Sequence, residues 1–342
     1  MKKTAVLICP GRGTYNASEL GYIARHHGGR LAEFDAYRAG LGQETVSTLD
    51  GAAKFSAKVH TRGDNASPLI YAASLFDAQA IADDYDIVAV TGNSMGWYIA
   101  LAAGGAVTPM AGFEIVNTMG SLMQERLIGG QVLYPFVDEN WQEIAGKRDE
   151  LLAMVADIDT RKGHQLAVSI HLGGMIVVAG DEAGLLAFEA AVPTYDRYPM
   201  RLPNHAAFHT SLQAPVAAEG QSRLGTDLFG TPDIPLIDGR GAIWWPNATD
   251  ATALRDYTLG AQVTETYDFT KAIQVAAREF APDVFIVTGP GATLGGAIAQ
   301  SLIGIDWDGI GGKTAFQSRQ SEDPILIAMG RNDQRPETTK RS

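Results

Sequence analysis

Val90-Thr91-Gly92-Asn93-Ser94-Met95-Gly96-Trp97 sets a serine between two glycines in a Gly-x-Ser-x-Gly frame. Residues 85–90 before it read as a short buried strand. Residues 97–103 after it read as the first turns of a helix. A strand that turns sharply into a helix around a serine is the context of a nucleophile elbow. The glycines let backbone segments pass closely. The helix start offers free N–H groups and a positive dipole end beside the serine oxygen. The frame alone is a weak signal, because glycine and serine are ordinary turn residues. Its position between strand and helix makes Ser94 the candidate nucleophile.

Working outward, the order of elements follows from periodicity and breakers. Residues 5–9 form a buried strand ending in the tight loop Pro10-Gly11-Arg12-Gly13. Residues 16–40 read as mostly helical, 41–66 as irregular and polar, and 68–81 as an apolar helix. Another helix is expected from Pro109 to Arg126, stopping at Gly129-Gly130. This βα alternation indicates an α/β core with a mainly parallel sheet. The rhythm changes after Gly130. A strand at 131–137, a helix at 140–157, two strands meeting through Gly173-Gly174, a helix at 182–191 and an extended piece at 195–202 follow in turn. That β-α-β-β-α-β order is the ferredoxin-like one. The α/β pattern resumes after Pro203, with a helix at 269–280 and a strand at 283–288 ending in Gly289-Pro290-Gly291. The expected architecture is a large hydrolase-like α/β domain with a mainly parallel sheet, built from 1–128 and 203–330, carrying a ferredoxin-like inserted subdomain at 129–202. Residues 331–342 are polar and read as a flexible tail.

Composition narrows the function classes. The 342 residues can bury a sizeable core. A net charge of −12, from 27 Lys+Arg against 39 Asp+Glu, argues against nucleic acid as a partner. The single cysteine, Cys9, can form no internal disulfide, which suits a reducing cytoplasm, the expected location. No Cys/His spacing suggests a metal. The apolar run at 5–9 is too short for a secretory signal, and no stretch approaches the ~20 apolar residues of a membrane span.

A serine nucleophile needs a base, and there are seven histidines. His26, His27 and His60 lie in polar stretches and read as surface residues. His164 and His171 flank a strand of the insert. His205 and His209 lie where the chain re-enters the main domain, in Leu202-Pro203-Asn204-His205-Ala206-Ala207-Phe208-His209-Thr210. The residues alone rank these two first without choosing between them, and show no aspartate as a third member.

The motifs, taken in order, resemble those of malonyl-CoA:acyl carrier protein transacylases and the related acyltransferase domains of fatty acid and polyketide synthases. Pro10-Gly11-Arg12-Gly13 resembles the family's Pro-Gly-Gln-Gly loop, and Gly92-Asn93-Ser94-Met95-Gly96 its Gly-His-Ser-Leu-Gly elbow. Met123-Gln124-Glu125 resembles the Met-Gln that follows the family's Arg-Gly. Residues 176–180 resemble the end of its insert hairpin. Ala207-Phe208-His209-Thr210 resembles Ala-Phe-His-Ser, Gln262 the glutamine before the last core helix, and Gly289-Pro290-Gly291 the closing Gly-Pro-Gly.

The resemblance implies Ser94 as nucleophile and His209 as base, the histidine being oriented by a backbone carbonyl. It implies an oxyanion hole from the backbone N–H groups of Met95 and Arg12. The reaction would move an acyl group from acyl-CoA to the phosphopantetheine thiol of an acyl carrier protein, with no cofactor. The alternative is an acyl-carrier-protein hydrolase using the same pair. Besides Arg12, which stands for the loop glutamine, three pocket positions depart from the family pattern together. Met119 stands where an arginine would pair with a malonyl carboxylate, Asn93 where a histidine precedes the nucleophile, and Trp97 where a glutamate follows the elbow. With Gln262, Met119 and Asn93 are the candidate substrate-binding residues. The acyl group is therefore malonyl or, given Met119, a neutral one. The competing reading has Arg12 supply the missing charge. The basic residues Lys147, Arg148, Arg161, Lys162, Arg197 and Arg201 are candidates for docking an acidic carrier protein.

Overall fold

The computed structural model describes residues 2–339. Eleven strands run in chain order: β1 (Lys3–Cys9), β2 (Tyr85–Gly92), β3 (Gly130–Pro135), β4 (Leu166–Leu172), β5 (Met175–Gly180), β6 (Met200–Arg201), β7 (Leu236–Ile237), β8 (Ile243–Trp244), β9 (Tyr267–Asp268), β10 (Val284–Val287) and β11 (Leu326–Ala328). They form two sheets, ordered β11-β10-β1-β2-β7-β8 and β6-β3-β5-β4-β9. The first is parallel except for the β7–β8 pair. Its inner strands are near-continuous apolar runs, as strands covered on both faces require. Ala5 to Cys9 are buried to the last residue. The α/β class with a large sheet and a smaller one is the architecture expected.

In the second sheet β3, β4, β5 and β6 pair antiparallel, in the ferredoxin-like spatial order. Its own apolar cluster lies beneath the helices Lys147–Asp159 and Glu182–Ala191. The sheet also takes β9, parallel to β4, from beyond the insert. The first insert helix starts at Lys147 rather than 140, after Gly146 in the left-handed region.

The helix expected from 68 runs Gly63–Gln79 instead, with Pro68 inside it. Proline cannot donate to the carbonyl four residues back, here that of Asp64. The buried Arg38 guanidinium donates to that carbonyl at 2.7 Å, which replaces the missing bond. The polar stretch 41–66 also contains the short helices Val46–Asp50 and Ala57–His60.

The expected tail is folded as far as residue 339. Arg335 is buried and donates to Asp77 Oδ1 at 2.7 Å and to Tyr22 Oη at 2.7 Å. Asp77 also meets His27 Nε2 at 2.6 Å and accepts from Tyr22 and from the Gly289 N–H. Burial pushes the Asp77 carboxyl up, but these bonds and the Arg335 charge outweigh it and hold it below the usual range. A buried carboxylate needs such partners, and they draw residues 331–339 back onto the core. Residues 340–342 of the expected tail lie outside those described. His27 and His60, read as surface residues, are both buried, His60 against the carbonyls of Ser56 and Leu49. Among the described residues no helix is long and apolar enough to cross a membrane.

Candidate active site

β2 ends at Gly92 and the helix Gly96–Ala103 follows, with Ser94 at the tip of the turn. Its φ of 55° is in the left-handed region, a strained conformation for a non-glycine residue. The flanking glycines are required by close approach. A Cβ on Gly92 would collide with the Gly96 carbonyl, and one on Gly96 with the Cys9 carbonyl of β1. The turn can be this tight only because neither position carries a side chain.

His209 lies 115 residues on, also at positive φ (57°), with Nε2 at 2.7 Å from Ser94 Oγ. Its Nδ1 is 2.6 Å from the Gln262 backbone carbonyl. A carbonyl only accepts, so Nδ1 carries the proton. Nε2 is left as a bare acceptor for the Ser94 hydroxyl. Burial pushes the His209 imidazole down to about 4, against a smaller upward pull from the Gln262 carbonyl. The ring is therefore neutral near pH 7.

Gln262 holds this geometry from both ends. While its carbonyl accepts from His209 Nδ1–H, its Nε2 donates to the Ser94 carbonyl at 3.1 Å and its Oε1 accepts from Tyr98 at 3.1 Å. Its side chain, expected to meet substrate, lines the chamber as well as bonding the protein. Tyr267 completes the support, donating to the Gly92 carbonyl at 2.6 Å with its ring beside His209. Nothing in its local sequence marked Tyr267. Only the topology that carries β9 under the elbow reveals it.

His205 does not reach Ser94. Its Nδ1 bonds Gln131 Oε1 at 2.7 Å, and burial with the nearby Arg12 charge pushes it down to about 3. The two histidines are thus separated by their partners, with His209, the one the resemblance implied, on Ser94.

Two cavities meet at Ser94. One is a small chamber of about 20 Å³ with Tyr98, Val116, Met123, Phe208 and Val263 in its walls. The other is an open cleft of about 530 Å³, reaching over the small sheet and containing no carboxylate in its lining. Met95 and Arg12 border the chamber, and their backbone N–H groups make no hydrogen bond among the described residues. Asn93 lines the cleft, its Oδ1 buried without a partner.

Met119 lines neither cavity. The helix Pro109–Arg126 presents Val116, Gly120 and Met123, one face at spacings of four and three, to the chamber. Met119, three residues from Val116 and four from Met123, sits at the edge of that face, and its thioether packs against Gly220 rather than entering the chamber. Trp97 also turns away, fully buried with Nε1 on Thr258. Of Met119, Asn93 and Trp97, only Asn93 touches a cavity. Arg12 borders both cavities. One terminal nitrogen donates to the carbonyls of Thr61 (2.8 Å) and Asn204 (3.0 Å), while Nε is buried without a partner. Burial lowers its pKa to about 10.

Three of the six candidate docking cations are ion-paired. Arg201 bonds Glu182 and Glu189, Lys147 bonds Glu150, and Arg161 bonds Asp157. Arg197 makes no ion pair among the described residues and stands exposed on the cleft.

No family model matches the chain. It is 25% identical over 213 residues to the malonyl CoA-acyl carrier protein transacylase of Salmonella typhimurium, covering 60% of this chain and 63% of that protein. It is 26% identical over 242 residues to the Bacillus subtilis transacylase of the same name, covering 68% and 71%. The matched segment thus spans 63% of the length of the Salmonella relative. Among solved structures, the malonyl-CoA:ACP transacylase of Synechocystis superposes with a TM-score of 0.74 at 18% identity, covering 98% of this chain and 100% of that one. A malonyl-transacylase solved in complex with a type II PKS acyl-carrier protein superposes at 0.70 and 18%, covering 88% and 93%. At these identities the superpositions establish a shared fold.

Proposed function

We propose that this chain is a distant member of the malonyl-CoA:acyl carrier protein transacylase and acyltransferase family. It moves an acyl group from coenzyme A to the phosphopantetheine thiol of an acyl carrier protein. The observation that carries this reading is the Ser94–His209–Gln262 carbonyl arrangement at the junction of a chamber and an open cleft. His209 Nε2 takes the hydroxyl proton as Ser94 Oγ attacks the thioester carbonyl. The developing oxyanion is met by the free N–H groups of Met95 and Arg12. Collapse expels the coenzyme A thiolate, which takes the proton from His209. The carrier thiol then gives its proton to His209, attacks the acyl-serine, and Ser94 leaves with the proton returned. Arg197, exposed on the cleft, is placed to meet an anionic carrier.

The test is intact-mass detection of acyl-Ser94 with a panel of acyl-CoAs, followed by decay of the adduct with and without carrier protein. Decay that needs the carrier supports transfer. Equally fast decay without it makes the enzyme a hydrolase, and no adduct with any acyl-CoA overturns the reading.

The acyl group is short and neutral. A buried water needs roughly 10–15 Å³ of such space, so a chamber of about 20 Å³ suits a group of acetyl size. Met119 faces Gly220, and one arm of the Arg12 fork is engaged by backbone carbonyls. Among the described residues Arg12 is the one Lys or Arg lining the chamber, and one of its terminal nitrogens is already committed to two carbonyls. A charged bidentate pair contributes about 1.5–3 kcal/mol, so malonyl-CoA is expected to trail acetyl-CoA by about tenfold to hundredfold in kcat/KM. Arg12→Gln should leave that ratio nearly unchanged. If malonyl use instead collapses in this variant, Arg12 reads a carboxylate and the neutral assignment is wrong.

A further inference from the structure

The loop carrying His209 is tied to the small sheet by a relay of buried side chains. His205 Nδ1 bonds Gln131 Oε1 at 2.7 Å, Gln131 Nε2 donates to Ser169 Oγ at 2.6 Å, and Ser169 Oγ donates to the Phe208 carbonyl at 2.7 Å. Donors and acceptors along it have one consistent assignment. The Phe208 carbonyl accepts only, so the Ser169 hydroxyl points to it. The Ser169 oxygen then accepts from the Gln131 amide, whose oxygen is left for the His205 N–H. Ser169 and Gln131 are both buried.

Two features tie this relay to the site. Phe208 directly precedes His209, and its carbonyl lies in the peptide plane against which the φ of His209 is set. That φ is 57°, which a histidine holds only when its surroundings impose it. Ser169 is also the unpaired residue of a β-bulge. Val168 pairs with Val178 and Ile170 with Val177, which leaves Ser169 without a partner on β5. A bulge bends its strand and re-aims a side chain. Here it aims the hydroxyl at the one peptide next to the base.

We infer that Ser169 is a positioning residue, with Gln131 behind it. Through the Phe208 carbonyl it fixes the peptide plane that presents His209 Nε2 to Ser94. The small sheet thus sets the geometry of the base as well as one wall of the cleft. The inference rests on His209 acting as the base of Ser94.

The test is the single-turnover acylation of Ser94 by acyl-CoA, and its labelling by a serine-directed fluorophosphonate, in wild type, Ser169→Ala, Ser169→Thr and Ser169→Cys. The loop keeps its other ties, Ala207 N–H to the Ile128 carbonyl and Thr210 Oγ1 to the Ala207 carbonyl. Small misplacements of a catalytic group can cost about a hundredfold. Ser169→Ala is therefore expected to slow acylation and labelling about tenfold to hundredfold, with KM for acyl-CoA unchanged and the Thr variant restoring most of the rate. Ser169→Cys keeps the shape with a weak donor. It gives the same reading, a slowed rate, should the Ala variant not fold. Wild-type rates in a variant with a lowered Tm, or a raised KM at unchanged kcat, would make Ser169 merely structural and overturn the inference. A wild type that takes the fluorophosphonate but no acyl-CoA refutes the proposed activity alone, and the labelling rates still decide the role of Ser169. A wild type that takes neither refutes both.

Discussion

Ser94→Ala is expected to leave no covalent acyl adduct by intact mass, with turnover reduced on the order of 10⁶-fold, as when a serine nucleophile is removed from an enzyme that acts through it. The fold should survive. Alanine fills the same turn, and the glycines at 92 and 96 that permit the close packing remain. Among the described residues the hydroxyl has one partner, His209 Nε2 at 2.7 Å, so little else is unpaired by its loss. A small change in Tm together with complete loss of the adduct is the expected pair of results. An acyl group found on the alanine variant would place the nucleophile elsewhere.

His209→Ala is expected to lower the acylation rate about 10²- to 10⁴-fold, the usual contribution of a positioned general base. His205→Ala should cost far less, because its ring bonds Gln131 rather than Ser94. The pH dependence follows from burial. The ordinary histidine pKa is near 6.5, and burial pushes His209 down to about 4. Its base form therefore persists as pH falls from 7 through 6.5. The acylation rate should stay level over that range and fall only as pH approaches 4. A break near 6.5 would mean that the imidazole is solvated in the working enzyme, against the geometry described here.

Much of this was legible in the chain. The elbow could be read because strand, glycines and helix follow one another locally. The small sheet could be read because its strands carry a hairpin signal in Gly173-Gly174. The failures have a common cause in distant partners. Pro68 reads as a helix start because proline removes an internal bond, and only Arg38 shows where that bond is replaced. Met119 and Trp97 align with pocket positions, yet they face Gly220 and Thr258, because orientation depends on which neighbour each helix packs against. Gln262 reads as a substrate contact and does line the chamber, but its bonds to Ser94 and Tyr98 depend on partners far away in the chain. The residues alone left His205 and His209 tied and the resemblance chose His209; that the carbonyl orienting it is that of Gln262 is something no local pattern announces.

The Arg335–Asp77 contact imposes an order on biosynthesis. Asp77 leaves the ribosome 258 residues ahead of its partner. At roughly 5–20 residues per second, that is a wait of roughly 13–50 s. Through that interval the carboxylate lacks the cation that makes its burial tolerable, and burying it unpaired carries a penalty of several kcal/mol. The helix Gly63–Gln79, apolar along most of its length, cannot settle against Tyr22 in final form while Asp77 must stay hydrated. The packing of the helix Gly63–Gln79 around Asp77 is therefore completed only after translation has passed residue 335.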